Sequence, residues 1–189
     1  RPKERALVHF ELAKVAMSLK DSGMAMRELE AASKIDQSHP GILHALAKLA
    51  LQEGQLLRAQ RTFRALLLVV RPGRAAGRES FAATPLPEAV GKALDVPISR
   101  AEVLVELAAI AEKQGEADRK VEFVESAFEA AAENGWEAEQ LTNALRSHGW
   151  SELVARAIAG RVETAVGAAR VPLLLERAEL LAGPLGKPS

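Results

Sequence analysis

The chain has 189 residues with 25 basic against 25 acidic side chains, is 48% hydrophobic and only 4% aromatic, and contains no cysteine and no tyrosine. That length and apolar share support one or two ordinary domains with a real core and exclude a disordered or fibrous chain. Without cysteine there is neither a disulfide framework nor a thiolate metal site, and the longest apolar run, Ala65 to Val70, is far short of the roughly 20 residues of a membrane span.

In chain order, the apolar residues recur at helical spacing: Leu12, Ala13, Val15, Ala16 and Leu19, then Leu43, Leu46, Ala47, Ala50 and Leu51. Strands are not indicated, because β-branched and aromatic residues are few and never alternate. The triplet Leu12-Ala13-Lys14 returns 34 residues later as Leu46-Ala47-Lys48, and Ala25, Leu29 and Ala32 return as Ala59, Phe63 and Leu66. A third copy reads Leu107, Ala108, Ala111, Gly115, Lys120, Val124 and Ala127, and a fourth reads Leu141, Leu145, Gly149, Val154 and Ile158. Each copy is expected to be two helices joined by one turn. Gly54, Gly115 and Gly149 fall where the first helix of a pair must end, a position that accepts positive φ. Ser38-His39-Pro40 and Ser99-Arg100-Ala101-Glu102 carry helix-start signals at the openings of two copies. A further first helix, Pro172 to Leu181, follows without its partner.

These residues resemble the tetratricopeptide repeat (TPR) family. Its 34-residue helix-turn-helix places a large residue, Leu-Gly and an aromatic in the first helix, then Ala, an aromatic and Ala in the second, with a closing Pro. The corresponding positions here hold His9, Leu12, Ala13 and Ala16 with Ala25, Leu29 and Ala32, and Leu43, Leu46, Ala47 and Ala50 with Ala59, Phe63 and Leu66. The family's Trp and Tyr positions carry Leu, His or Ala, its Gly is replaced by Ala13, Ala47 or Ala108, and its Pro is displaced to Pro40 and Pro72. The resemblance implies an all-α fold, an α-solenoid of TPR-like repeats with a long insert between the second and third. Two repeats are expected over residues 1–73, the insert over 74–100, two more repeats over 101–168, and the first helix of a further repeat over 169–189.

The insert holds Pro85, Pro87 and Pro97 with Gly77 and Gly91, which points to a long loop with one short helix from Pro87 to Leu94. Phe81, Leu86, Val90 and Leu94 are the side chains that would anchor it. It is either a tolerated surface insertion or a loop that contacts a partner or folds over the groove.

Zero net charge conceals an uneven distribution. Arg58, Arg61, Arg64, Arg71, Arg74 and Arg78 follow one another without an intervening acid, whereas acids from Glu102 to Glu139 face only Lys113, Arg119 and Lys120. The bland interpretation is solvated second-helix surfaces. The alternatives are contact with a protein partner or between copies, positive end to negative end, and, less favoured, nucleic-acid binding, which usually adds stacking aromatics that this stretch lacks.

No phosphate-binding loop, no Gly-x-Ser-x-Gly elbow and no His-Glu-x-x-His pair is present. His9, His39, His44 and His148 are scattered, and read as cap, turn or groove residues rather than metal ligands. No cofactor, metal or catalytic residue is therefore expected, and an enzyme is not.

The resemblance implies a concave face lined by the first helix of each pair. With repeats starting at Ala6, Pro40, Ala101 and Gly135, its groove candidates are Phe10, Lys14 and Met17; His44, Lys48 and Leu51; Glu102, Glu106 and Glu112; and Trp136, Asn143 and Arg146. That mixture suits an extended peptide or a partner's helix. The family's clamp for a chaperone's C-terminal carboxylate does not transfer, since Phe10 stands where a lysine is needed. The leading expectation is a non-enzymatic scaffold or adaptor that binds another protein. The alternative is a self-assembly module whose open helical edge after Pro172 to Leu181 stacks on another copy. The chain begins with Arg1 and shows no export signal, so it is expected to be a piece of a longer protein with a cytoplasmic address.

Overall fold

The computed structural model describes residues 2–70 and 97–183. Their regular elements are helical: α1 (Pro2–Ser18), α2 (Ser22–Ile35), α3 (Pro40–Gln52), α4 (Leu56–Val69), α5 (Arg100–Lys113), α6 (Ala117–Ala131), α7 (Gly135–Ser147), α8 (Ser151–Thr164), a 3₁₀ turn (Gly167–Ala169) and α9 (Arg170–Ala182). The chain divides into two compact units, Arg1–Ser99 and Arg100–Ser189. In both, the second helices keep the 34-residue step, Ser22 to Leu56 and Ala117 to Ser151.

Unit 1 consists of the α1–α2 and α3–α4 hairpins, with α2 packed on α3. Ala6, Ala13 and Ala16 of α1 and Ala25 and Ala32 of α2 are buried, and such small side chains let two helix backbones approach closely. Phe10, Leu29, Ile42, Leu46 and Leu49 fill the rest of this core, while Phe63 and Leu66 of α4 are fully buried. Burying one such side chain contributes about 2 kcal/mol. At Gly41 the packing is close: a Cβ there would lie 3.2 Å from the His39 ring and 3.4 Å from Phe10. The helical periodicity of α1 overstated its core, because Leu12, Val15 and Leu19 are exposed. Leu46, at the position equivalent to Leu12, is buried in the core that α2 and α3 share.

All four hairpins turn in the same way. The amide three residues beyond the end of the first helix donates to a carbonyl five residues back: Asp21 to Ala16, Gln55 to Ala50, Glu116 to Ala111 and Trp150 to Leu145, at 2.8–3.1 Å. This 6→1 bond requires a left-handed residue in between. Gly54, Gly115 and Gly149 supply it with φ of 72°, 73° and 70°, and in the first hairpin Lys20 does so with φ of 60°.

Helix starts follow local chemistry. Asp21 Oδ1 accepts from the Met24 amide at 2.8 Å and Asn134 Oδ1 from the Glu137 amide at 2.9 Å. At α3 the cap is His39, whose Nδ1 accepts from the Ile42 amide at 3.3 Å ahead of Pro40, while the Ser38 amide donates to Asp36. Burial lowers the His39 pKa, and Lys14 and Lys3 add to this against an opposing pull from Asp36.

Unit 2 consists of the α5–α6 and α7–α8 hairpins with α9 packed on α8. Leu107, Ile110, Leu141, Leu145 and Ile158 are its largest fully buried side chains. Helix α5 is buried at Ala101 and throughout Val103 to Ala111. Its first amides are met from a remote position: the Glu137 carboxylate of α7 accepts from Arg100 at 3.1 Å and from Ala101 at 3.0 Å. Helix α9 buries no residue. Of the expected insert, only 97–100 fall among the described residues, with Ile98 and Ser99 buried. The expected short helix from Pro87 to Leu94, and Phe81, Leu86, Val90 and Leu94, lie outside them.

Candidate functional site

In unit 1 the first-helix candidates separate into two groups. Phe10 is corrected: it is only 5% exposed and belongs to the core, because its ring is the filler between α1 and the start of α3, 5.8 Å from the His39 ring. Lys14 lies above it, with Nζ 4.5 Å from the ring centroid and 2.7 Å from Glu11 Oε1. Met17 packs partly against the core. His44, Lys48 and Leu51 are half-buried on α3. Lys14 and Lys48, and likewise Met17 and Leu51, occupy equivalent places 34 residues apart, so α1 and α3 present the same cation-and-apolar pair twice.

In unit 2, Glu106 is corrected in the same sense. It is 6% exposed, and its carboxylate faces His148 Nε2 at 3.4 Å. Glu102 is half-buried. Glu112 is taken up by an ion pair with Lys120. The Lys120 ammonium, hydrogen-bonded to Glu112, holds that carboxyl below its ordinary range, with smaller contributions from the Trp150 indole and the His148 charge. Trp136 is half-buried, Asn143 and Arg146 are exposed, and Arg146 pairs with Glu176 of α9.

Trp150, which no motif in the sequence marks, joins this group. Lys120 Nζ lies 4.4 Å from the Trp150 ring centroid, and the His148 ring lies against the indole at a 31° tilt, with centroids 5.3 Å apart. Lys120 stands at the repeat position where Ala25, Ala59 and Val154 are buried; its long stem lets the charge leave that crowded place and reach Glu112. The Gly115 to Gly149 register locates Lys120, and only the folding of the α7–α8 turn onto α6 brings Trp150 to it.

The second helices carry the charge asymmetry on their outer sides. Arg58 is used within unit 1, paired with Glu30 of α2. Arg61 and Arg64 are exposed on α4, and Arg71, Arg74 and Arg78 lie outside the described residues. On α6, Glu125 receives both nitrogens of Arg156 at 2.6 and 2.7 Å, which holds its carboxyl low and raises the arginine. The guanidinium also covers Phe128 at 4.0 Å. Among the described residues no three His, Asp or Glu side chains are grouped as a metal ion would require, and no helix is long and apolar enough to cross a membrane.

The repeat architecture is TPR-like. It has two helices per unit of repeat, a 34-residue step between second helices and a left-handed residue closing the first helix of each of the four hairpins. No protein-family model and no curated protein matches the sequence. Among solved structures, the chain is similar to YrrB, described as a TPR protein with an unusual peptide-binding site, at 13% identity and a TM-score of 0.49 over 97% of this chain and 79% of that one. It is similar to MamA at 14% identity and a TM-score of 0.49 over 94% of this chain and 80% of that one.

Proposed function

We propose that the chain is a protein-interaction scaffold that holds a segment of another protein on its first-helix faces. The observation that carries this is the repeated pair in unit 1: Lys14 with Met17 on α1, and Lys48 with Leu51 on α3. An ammonium followed one helical turn later by an apolar side chain suits a segment that offers a carboxylate and an apolar anchor at matching intervals. An extended peptide or an amphipathic helix meets that requirement. Unit 2 offers first-helix groups of its own, Asn143 and the half-buried Trp136 on α7, the latter an aromatic of the kind that dominates binding energy. In this reading Lys14 is steered by Glu11 and by the Phe10 ring beneath it, so its position is set before the ligand arrives.

The test is selection from a displayed random-peptide library against the whole chain. Enriched peptides are expected to combine Asp or Glu with Leu, Ile or Phe. They are expected to lose at least about tenfold in affinity against Lys14→Glu/Lys48→Glu, a variant whose circular dichroism stays that of the parent. Selection without enrichment, or peptides that bind the variant as tightly as the parent, would sink the proposal. A second reading, association between copies, is favoured by a separate observation on the second helices.

A further inference from the structure

The second helices α4 and α6 sit in the same register relative to their turns, since Leu57 follows Gly54 and Asp118 follows Gly115 by three residues. Residues three, four and seven apart on a helix form one stripe. On α4 that stripe reads Leu57, Arg61, Arg64 and Leu68. At the equivalent places on α6 it reads Asp118, Glu122, Glu125 and Glu129. All eight side chains are exposed, and Leu57 and Leu68, at 65% and 85%, are among the most exposed large apolar residues of the molecule. Val121, 60% exposed, borders the acidic stripe. Arg156 already engages Glu125, which leaves Asp118, Glu122 and Glu129 as the outward carboxylates.

We propose that the basic stripe of α4 in one copy docks on the acidic stripe of α6 in a second copy of this chain. Like stripes repel: two α4 faces would bring arginines together, and two α6 faces would bring carboxylates together. Only the α4-to-α6 pairing matches charge, and both stripes are solvent-exposed in one and the same molecule. In this pairing Leu57 and Leu68 flank the arginines and cover Val121 and the aliphatic stems of the glutamates, so apolar burial accompanies the ion pairs. A contact between two different faces is heterologous, so each copy retains one of each to offer onward. A single helix-on-helix contact is smaller than a standard interface, and the association is therefore weak, concentration-dependent and salt-sensitive. This contact uses faces other than those of Lys14 and Lys48, so it stands or falls separately from peptide binding.

The test is sedimentation velocity of the full chain over a range of concentrations at about 50 mM and about 500 mM salt. The parent is expected to associate at low salt and to weaken about tenfold or more at high salt. Arg61→Glu/Arg64→Glu and Glu122→Lys/Glu129→Lys are each expected to be monomeric on their own with unchanged circular dichroism. Mixed one to one they are expected to associate, because each then meets a face of opposite charge. The chain carrying all four changes is expected to associate alone. A parent that stays monomeric up to about 100 μM at low salt, an association that survives either reversal, or a mixture that fails to recover it, overturns the proposal.

Discussion

Glu137 reaches from α7 to the start of α5, and removing it provides a quantitative test of how unit 2 is held together. Its carboxylate accepts from the Arg100 amide at 3.1 Å and the Ala101 amide at 3.0 Å, and the residue is only 7% exposed. Each hydrogen bond to a buried ionised group contributes about 1.5 kcal/mol net, and a negative charge at a helix N-terminus adds about 0.5 kcal/mol. Arg100 is half-buried, so water recovers part of one bond once the carboxylate is gone. The expected cost of Glu137→Ala is therefore about 2–3 kcal/mol, and Glu137→Gln, which keeps one acceptor, costs about half of that. Asn134→Ala is the internal standard: it removes an ordinary local cap, the 2.9 Å bond to the Glu137 amide, for about 1 kcal/mol. Both tryptophans, Trp136 and Trp150, lie in unit 2, so guanidinium unfolding followed by tryptophan fluorescence reports that unit selectively. For a unit of this size the shift in melting temperature is roughly 10–20 °C. If Glu137→Ala falls within about 0.5 kcal/mol of the parent, or costs no more than Asn134→Ala, the tertiary cap is not a stabilising contact and the reasoning fails.

Two further predictions concern unit 1. His39 caps α3 through an unprotonated Nδ1, and burial lowers its folded pKa. The unfolded state therefore binds a proton first. The stability of unit 1 is full above the unfolded value of about 6.5 and declines as pH falls below it, levelling off beneath the folded pKa. His39→Asn, which keeps a good cap without a titrating group, should flatten the stability profile between about pH 7 and about pH 5; equal slopes for parent and variant in urea melts followed by circular dichroism would contradict this. Lys20 takes φ of 60° at the turn position where the other three hairpins have glycine. Lys20→Gly is expected to stabilise the chain by about 0.5–1 kcal/mol in the same melts, and a loss of stability would show that the lysine side chain contributes more than its backbone strain costs.

Much of the architecture is legible in the sequence because it depends on neighbours a few residues away. The left-handed closures at Gly54, Gly115 and Gly149, and the 34-residue step that sets Ala25 over Ala59 and Leu29 over Phe63, all follow from local φ/ψ preference and helical period. Which candidate side chains remain accessible was not legible there. Lys14, Met17, Lys48 and Leu51 are half-buried, whereas Phe10 and Glu106 are buried. Periodicity marks a helix face as apolar without saying whether another helix covers it. Leu12, Val15 and Leu19 therefore look like core in the sequence and stand exposed in the fold, while Leu46 at the same repeat position is buried. The contacts that join remote positions lie beyond any local signal. Glu137 serves amides 36 and 37 residues before it, and Trp150 receives the Lys120 ammonium. Backbone conformation is decided within a turn or two of chain, but burial and the partner of a charge are decided by what the packed helices bring alongside.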